Sequence, residues 1–518
     1  MLATHYVSAY EAAPEGPEAD ALAVQARIAL RGAADRATAL GSHESAISYW
    51  MKARDVSTDP AEEAGLLESV ATAELNIGRY EAAEAHLRDT VARWDGLGDR
   101  LASARTTRLL GRTLAQTGRL TEAMPIVVAA EAAVADLAPH PVVVELWLGL
   151  AAGSGQLGDR EGALRWADKA LADAERLSAM ELVAQGMVTK GGILSTQGRP
   201  VEGRALLEAG LRLAEEIGDG VTATRAAHHL SLALMDDDPR AALSVTRQAF
   251  DLANRYGLAP LRLSSLGNAI EASLSVGDWG WLVDELGTIR LDELEPADRW
   301  AILIGTVEIE SIRGRDVSAP EADVRVIAGA SSDPMATAAT ALAFALARTA
   351  EGRWEDAYRE ALVTEQDDLN APYGLMIAAR AAIRLGDAER AREVLDRLDA
   401  RGARGAAGRA IRDGLMAALD ALRGNRQAAM TGLRDAWARM RELGIELALG
   451  MSQLDYLAVA PSAEPLADEG AREARSILER AGALAYLRQL DELEAERGGA
   501  GASITEAAVA TEEAVTPA

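Results

Sequence analysis

Lysine is the residue with which this chain could hold a nucleotide phosphate, and it occurs only at Lys52, Lys169 and Lys190. A P-loop needs a lysine that directly follows a glycine and precedes serine or threonine. Only Lys190 has glycines beside it, and they follow it, as Gly191-Gly192, inside a helical pattern. We therefore predict that the chain lacks the usual ATPase chemistry.

Histidine could ligate a metal, and the one cluster is the adjacent pair His228-His229. Neighbouring residues on a helix point about 100° apart, so these imidazoles do not converge on one ion as an i, i+4 pair would. We interpret them as a partly exposed helix pair, with a metal or substrate role as the alternative. Gly153-Ser154-Gly155 matches only part of a G-x-S-x-G nucleophile motif and also falls in a helical pattern.

Carboxylates are abundant, because 80 acidic residues against 53 basic ones give a net charge of −27. Asp236-Asp237-Asp238 precedes Pro239, where the helix dipole favours an acidic N-terminal cap. A divalent-cation site is the alternative, but the spacing of a calcium loop is missing. No stretch predicts the strand-rich domain that the paired aspartates of a nucleotide cyclase require. We predict no catalytic residue, no cofactor, no metal, and hence no enzyme.

Charge and composition also bear on partners and location. A strongly acidic chain is a poor match for nucleic acid and for anionic lipid, both of which need lysine and arginine. There is no cysteine, so disulfides and thiol chemistry are excluded. Residues 1–10 lack a signal-peptide pattern, and no run approaches a membrane span. We expect a cytoplasmic protein without direct contact with nucleic acid or membrane.

One motif organises the elements that carry these side chains. Gly78-Arg79-Tyr80-Glu81-Ala82-Ala83 recurs in altered form, always as a glycine followed five residues later by alanine. We predict that the glycine makes a turn and that the alanine lets two helices pack closely. The clearest glycine and alanine pairs are Gly78 and Ala83, Gly118 and Ala123, Gly158 and Ala163, Gly352 and Ala357, Gly386 and Ala391, and Gly424 and Ala429.

The spacing of the motif predicts the domain organisation. We expect a lead-in segment over residues 1–17, a helical repeat array over 18–482, a capping helix over 483–497 and a disordered tail over 498–518. Asp59, Pro60 and Glu62 predict a capping box at one helix start. The predicted turns lie near Gly41, Gly78, Gly118, Gly158, Gly198, Asp238, Gly277, Gly314, Gly352, Gly386, Gly424 and Pro461.

The repeat resembles the tetratricopeptide (TPR) repeat in its longer form of about 40 residues. Gly111 and Gly191 match the family's small residue on the first helix, and Trp147 matches its large aromatic. Gly203 and Leu282 depart from the family, because they stand where the alanine is expected. The resemblance covers residues 18–482. It implies an all-α, right-handed superhelical solenoid of about 11–12 stacked antiparallel helix pairs.

A narrower resemblance concerns four short stretches, residues 2–7, 33–37, 40–46 and 474–483. They are similar to the C-terminal repeat region of large bacterial signalling proteins that carry a class III adenylate or guanylate cyclase and an AAA-type ATPase. Related repeat regions occur in large transcriptional activators. This implies either a separate scaffold or sensor in bacterial signal transduction, or a regulatory region or remnant of such a protein without its catalytic domains.

A repeat array of this kind implies a protein or peptide partner, or a small effector, bound in a groove. Most of the nine tryptophans should pack between helices, but Trp147 and Trp279 are candidate anchors for a peptide. Asn268 is the candidate for an asparagine of a peptide-carboxylate clamp, although the scarcity of lysine argues against that ligand. The negative charge favours a basic or apolar partner. Oligomeric state does not follow from the sequence.

Overall fold

A computed structural model describes residues 2–330, 333–403, 405–461 and 464–497. The predicted tail over 498–518 lies outside them. Regular secondary structure in these ranges is entirely helical, apart from turns and bends. The helices are α1 (Leu2–Ala12), α2 (Pro17–Ala39), α3 (His43–Asp55), α4 (Pro60–Asn76), α5 (Tyr80–Leu97), α6 (Arg100–Gln116), α7 (Leu120–Val134), α8 (Pro141–Gln156), α9 (Arg160–Arg176), α10 (Met180–Thr196), α11 (Pro200–Ile217), α12 (Gly220–Leu234), α13 (Pro239–Tyr256), α14 (Ala259–Val276), α15 (Gly280–Leu286), α16 (Pro296–Ile312), α17 (Ser318–Gly329), α18 (Pro334–Ala350), α19 (Trp354–Val363), α20 (Ala371–Arg384), α21 (Ala388–Arg401), α22 (Gly405–Leu422), α23 (Arg426–Leu443), α24 (Glu446–Val459), α25 (Pro465–Ala481) and α26 (484–497).

Consecutive helices pack in pairs, so the fold is all-α and TPR-like, as the sequence predicted. The even-numbered helices from α2 to α24 are the first helices of the pairs, and we call them A helices. The odd-numbered helices that follow them are the B helices. A helices also contact the next A helix, as α6 contacts α8 and α8 contacts α10. None of the helices in the described ranges is both long and apolar enough to cross a membrane.

The chain divides into two compact units. Unit 1 comprises Met1–Ala233 and Val245–Ser265, and unit 2 comprises Leu234–Ser244 and Leu266–Ala518. In unit 1 the turn after α2 reaches the turn after α13, where His43 Nε2 lies 2.9 Å from the carbonyl oxygen of Tyr256. The first and last repeats of unit 1 are therefore in contact.

The predicted glycine turns separate A helices from B helices. Gly78 has φ 81° and Gly118 has φ 76°, a left-handed backbone that glycine adopts without steric cost. Five residues further on, Ala83 and Ala123 are at most 2% exposed. The remaining alanines of the motif, all buried, are Ala46, Ala163, Ala357, Ala391 and Ala429.

The departure at Gly203 has a steric reason. A Cβ placed on Gly203 would lie 2.7 Å from both the carbonyl oxygen of Gly191 and the backbone nitrogen of Ser195. Helices α10 and α11 thus cross at a pair of glycines, closer together than alanine would allow. In this helix pair, direct contact between the backbones of α10 and α11 replaces the alanine contact of the other repeats.

Gly203→Ala should therefore destabilise the protein by about 1–3 kcal/mol, because α10 and α11 must separate to accept the methyl group. Gly65→Ala is the matched control, since a Cβ at that position of α4 meets nothing within 4 Å. It should instead stabilise by about 0.5–1 kcal/mol through helix propensity. Urea unfolding of both variants measures the difference. Equal effects of the same sign would contradict the close crossing.

Two local details differ from or add to the sequence-based expectations. Glu62 was expected to complete a capping box with Asp59, but its carboxylate lies 3.2 Å from Arg27 Nε and accepts a hydrogen bond from Ser57 Oγ. Asp59 still caps α4, because its Oδ1 accepts from the backbone nitrogen of Ala61 at 3.0 Å. The predicted lead-in segment contains a helix, α1, which packs against α2.

Candidate functional site

Trp147, a sequence-based candidate for a peptide anchor, lies in the core of unit 1. Its side chain is 1% exposed, and its indole Nε1 donates to Glu131 Oε1 at 2.8 Å on α7. Lys169 Nζ lies 3.9 Å from the ring centroid. These contacts join α7, α8 and α9, so the residue packs between helices. Its proposed contact with a peptide stays a prediction.

The other two candidates, Asn268 and Trp279, both lie in unit 2 and are also buried. Asn268, on α14, is 9% exposed, and Trp279, which precedes α15, is 4% exposed. A partner could reach either side chain only after the surrounding helices move. Their roles as binding residues stay predictions.

A cluster of arginines on the A helices of unit 1 is the strongest candidate site. Arg108 and Arg112 occupy positions i and i+4 of α6 and therefore share one face of that helix. Arg225 lies on α12, three repeats further along the chain, yet its charge and those of Arg108 and Arg112 act on one another. We call Arg108, Arg112 and Arg225 the cationic cluster.

Only one of the three arginines has an acidic partner among the described residues. Arg108 Nη2 lies 3.0 Å from Glu145 Oε2 on α8. Arg112 is exposed and Arg225 half-buried, and neither forms an ion pair or hydrogen bond within the described ranges. In a chain with a net charge of −27, two neighbouring arginines without an ion pair could bind an external anion.

The pKa values of the cluster reflect this crowding. Burial among the surrounding helices, together with the charges of Arg108 and Arg225, lowers the pKa of Arg112 to about 10. The pKa of Arg225 is also lowered, by burial and by the charge of Arg108, although the nearby Asp219 opposes this shift. Because Arg112 keeps contact with water and its pKa stays above 7, both guanidinium groups are charged at neutral pH. Their mutual repulsion would be relieved by a bound anion.

His228 and His229 extend the cluster along α12. Their ring centroids are 5.5 Å apart. Burial and the nearby Arg225 lower the pKa of His228 to about 4, and burial, His228 and Arg225 lower that of His229 to about 3. Both are therefore neutral at pH 7, when a ring N–H can still donate a hydrogen bond. The interpretation as a partly exposed pair is confirmed, since both rings are half-buried.

Glycines shape the surface between the two ends of the cluster. A Cβ at Gly149 of α8 would lie 3.6 Å from Arg108 Cγ, and one at Gly192 of α10 would lie 3.7 Å from His229 Cγ. Arg108 and His229 thus lie over positions without side chains on the two intervening A helices. We call this surface of α6, α8, α10 and α12 the unit 1 face.

The A helices of unit 2 are covered by the chain itself. On α26, Tyr486 and Leu490 are at most 2% exposed. Gln489 Nε2 donates to the carbonyl oxygens of Thr349 at 2.8 Å and Ala350 at 2.9 Å. These are the last carbonyl groups of α18, which have no partner within their own helix. Helix α26 therefore packs against the A helices of unit 2.

An arginine-rich cavity of about 500 Å³ lies in unit 2 between α17, α18 and α19. Its arginines are paired. Arg348 binds Glu321 and lies 2.6 Å from Glu351, Arg353 lies 3.2 Å from Glu351, and Arg359 binds Asp356. This cavity therefore offers an external anion little uncompensated charge.

The aspartates that the sequence marked as a cap or a cation site form structural contacts. Asp238 Oδ1 accepts from the backbone nitrogen of Ala241 at 3.1 Å, so the predicted cap of α13 is confirmed. Asp237 Oδ1 accepts from the nitrogen of Ala406, and Asp236 Oδ1 accepts from Tyr373 Oη at 2.8 Å. Within the described ranges, no group of histidine and acidic side chains is arranged to hold a metal ion.

Sequence reasoning missed the cationic cluster. The signal on α6 was available, because Arg105, Arg108 and Arg112 follow the i, i+3, i+7 spacing of one helix face. Arg105 is neutralised by Glu68, with Nε 2.6 Å from Oε1. Packing across three repeats determines which arginine lacks an acidic partner. It also brings Arg225 near Arg108 and Arg112 of α6.

No protein-family model matches the chain, and no curated protein does so either. The chain resembles the structure of a Rap protein complexed with Competence and Sporulation Factor, with 14% identity and a TM-score of 0.44 over 63% of this chain and 90% of that one. It also resembles a signal transduction ATPase with numerous domains (STAND) and a tetratricopeptide repeat sensor, from Pyrococcus horikoshii. That match has 14% identity and a TM-score of 0.41, over 75% of this chain and 53% of that one.

The anaphase-promoting complex assembly Cut9–Hcn1 matches with 14% identity and a TM-score of 0.35, over 95% of this chain and 98% of that one. Every TM-score is below 0.5, so the partners of these proteins do not transfer to this chain. None of these three proteins is described as a nucleotide cyclase.

Proposed function

We propose that the chain is a non-catalytic scaffold or sensor whose unit 1 face binds a peptide or a segment of a partner protein. The observation that carries this proposal is the cationic cluster on the A helices of unit 1, where Arg112 and Arg225 form no ion pair within the described ranges. The side chains that converge there can bind a ligand. They include neither a nucleophile with an adjacent general base nor a set of metal ligands. This supports a binding role over a catalytic one.

The biological setting of this binding is part of the proposal. We propose bacterial signal transduction in the cytoplasm, because residues 2–7, 33–37, 40–46 and 474–483 resemble the repeat regions of bacterial signalling proteins. The alternative from the same resemblance is a regulatory region or remnant of a cyclase–ATPase protein or of a repeat-containing transcriptional activator. An adjacent reading frame with P-loop and cyclase motifs would favour that alternative.

A selection from a displayed library of random twelve-residue peptides on the full chain tests the binding role. We expect the selection to converge on related sequences that bind one site. A photo-reactive group on a selected peptide should cross-link to α6, α8, α10 or α12. Failure to converge, or cross-links confined to B helices, would contradict the proposal.

A further inference from the structure

A small cavity of about 160 Å³ lies between α2, α3 and α4 of unit 1. The described residues that line it belong to these three helices, so it is separate from the unit 1 face. An engineered apolar cavity of about 150 Å³ binds a molecule the size of benzene. The cavity in unit 1 is similar in volume but is lined mostly by polar side chains. It therefore suits a small polar molecule.

Three hydroxyl groups of the lining can serve a ligand as hydrogen-bond acceptors. Thr38, Ser69 and Thr72 each donate to the carbonyl oxygen four residues earlier in their own helix, at 2.9–3.0 Å. A hydroxyl whose hydrogen is committed in this way offers a ligand only the lone pairs of its oxygen. These positions therefore favour a ligand that carries donors.

The two ionisable side chains of the lining are also acceptors. Glu68 Oε1 lies 2.6 Å from Arg105 Nε, which holds the carboxylate in place, and a carboxylate has lone pairs for further donors. His43 Nε2 must donate to Tyr256, because a carbonyl oxygen can only accept. In the neutral ring Nδ1 is then an acceptor, and it is buried without a hydrogen-bond partner among the described residues. A buried acceptor of this kind costs stability until a donor reaches it.

The lining offers fewer donors than acceptors. The donors are the indole N–H of Trp50 and the side-chain amide of Asn76, and that amide also carries an acceptor oxygen. A primary ammonium group has three N–H donors and no acceptor, so it matches this excess. Its charge is also attracted to Glu68, to the face of an indole ring and to a chain with a net charge of −27.

We propose that this cavity binds a small primary ammonium compound. Thr72 comes three residues after Ser69 and four after Glu68, so its hydroxyl neighbours both side chains on the surface of α4. One ammonium group can therefore donate to all three while its short carbon chain lies against Trp50. An alcohol of the same size offers one donor, and an anion such as a carboxylate offers none. This site is additional to the peptide site of the proposed function and does not depend on it.

Titration of the full chain with n-butylammonium tests the site. Nuclear magnetic resonance of isotope-labelled indole groups follows the binding, and the signal that is lost in Trp50→Phe is assigned to Trp50. We expect n-butylammonium to shift the Trp50 signal saturably. Tetramethylammonium has the same formula and charge but no N–H donor, and n-butanol has one donor and no charge. Each should bind about tenfold more weakly, because charge-assisted hydrogen bonds are lost.

Thr72→Val removes one acceptor from the cavity with little change of shape. It should weaken the binding of n-butylammonium about tenfold, because a hydrogen bond to a charged group is lost. Thr107→Val on α6 is the matched control, since Thr107 Oγ1 also donates to the carbonyl oxygen four residues earlier and Thr107 does not line the cavity. It should change the affinity less than about twofold, as expected for a distant position. Circular dichroism and the urea midpoint establish that both variants fold.

The comparison of ligands uses the unaltered protein, so it does not depend on the folding of either variant. No saturable shift with n-butylammonium, or equal binding of tetramethylammonium or n-butanol, would overturn the inference. Equal weakening by Thr72→Val and Thr107→Val, or shifts of other indole signals with Trp50 unchanged, would place the ligand elsewhere and overturn it too. Failure of the peptide selection would instead overturn the proposed function and leave this inference intact.

Discussion

Asp455→Ala should destabilise unit 2 by about 3–5 kcal/mol, the usual cost of leaving one member of a buried ion pair unpaired. Asp455 Oδ2 lies 2.7 Å from Arg380 Nε, and the two side chains are 2% and 7% exposed. The variant would leave the Arg380 guanidinium buried without a carboxylate, and arginine cannot lose its proton to escape that cost. Urea unfolding measures the loss, and hydrogen exchange in α20 and α24 locates it.

Replacing Arg380 rather than Asp455 should lower the free energy of unfolding by less. Burial raises the pKa of Asp455 even though Arg380 opposes the shift. In Arg380→Met the remaining aspartate can therefore take up a proton and become neutral, most readily at low pH. Arg380→Met/Asp455→Leu should recover most of the stability, because apolar residues of similar volume replace a buried pair at little cost. A double variant as unstable as Asp455→Ala would contradict this account of the pair.

Glu308→Gln should remove a pH dependence of stability that amounts to about 3–5 kcal/mol between pH 4.5 and 8. Glu308, on α16, is 9% exposed. Burial, together with the nearby Glu271, raises its pKa from 4.5 to about 8. In this window the folded state keeps the proton and the unfolded state releases it. Stability from this group is complete below pH 4.5 and is lost as pH rises through 8.

Urea unfolding at pH 5, 6, 7 and 8 measures this slope, which is at most about 1.4 kcal/mol per pH unit. Glu492→Gln is the control, since Glu492 is an exposed glutamate of α26 in the same unit. It should leave the slope unchanged. A Glu308→Gln variant with the slope of the parent protein would show that Glu308 is ionised when folded.

Local sequence chemistry predicted the fold well because each repeat depends on short-range signals. Gly78 fixes a left-handed turn and Ala83 fixes a close helix contact, and both effects act within a few residues. Gly203 was seen as a departure, but its reason depends on Gly191 and Ser195 across the helix pair. The helix formed by residues 2–12 was not predicted, although Tyr6, Val7 and Tyr10 pack against the buried Ala23 and Ala26 of α2.

The candidate site could not be predicted in the same way. Net charge averages over the whole chain and pointed to a basic or apolar partner. The unpaired state of Arg112 depends on which carboxylates reach α6, and Glu68 and Glu145 reach only Arg105 and Arg108. The proximity of Arg225 depends on how the repeats of unit 1 close on themselves. Both features are set by tertiary packing and not by local sequence.

The central claim is that the unit 1 face is the binding surface of this chain. Hydrogen exchange of the full chain, with and without a saturating peptide from the selection, tests it most directly. We expect protection in α6 and α12, which carry Arg112 and Arg225, and in α8 and α10 between them. Protection confined to the B helices or to unit 2, with these four helices unchanged, would contradict the claim.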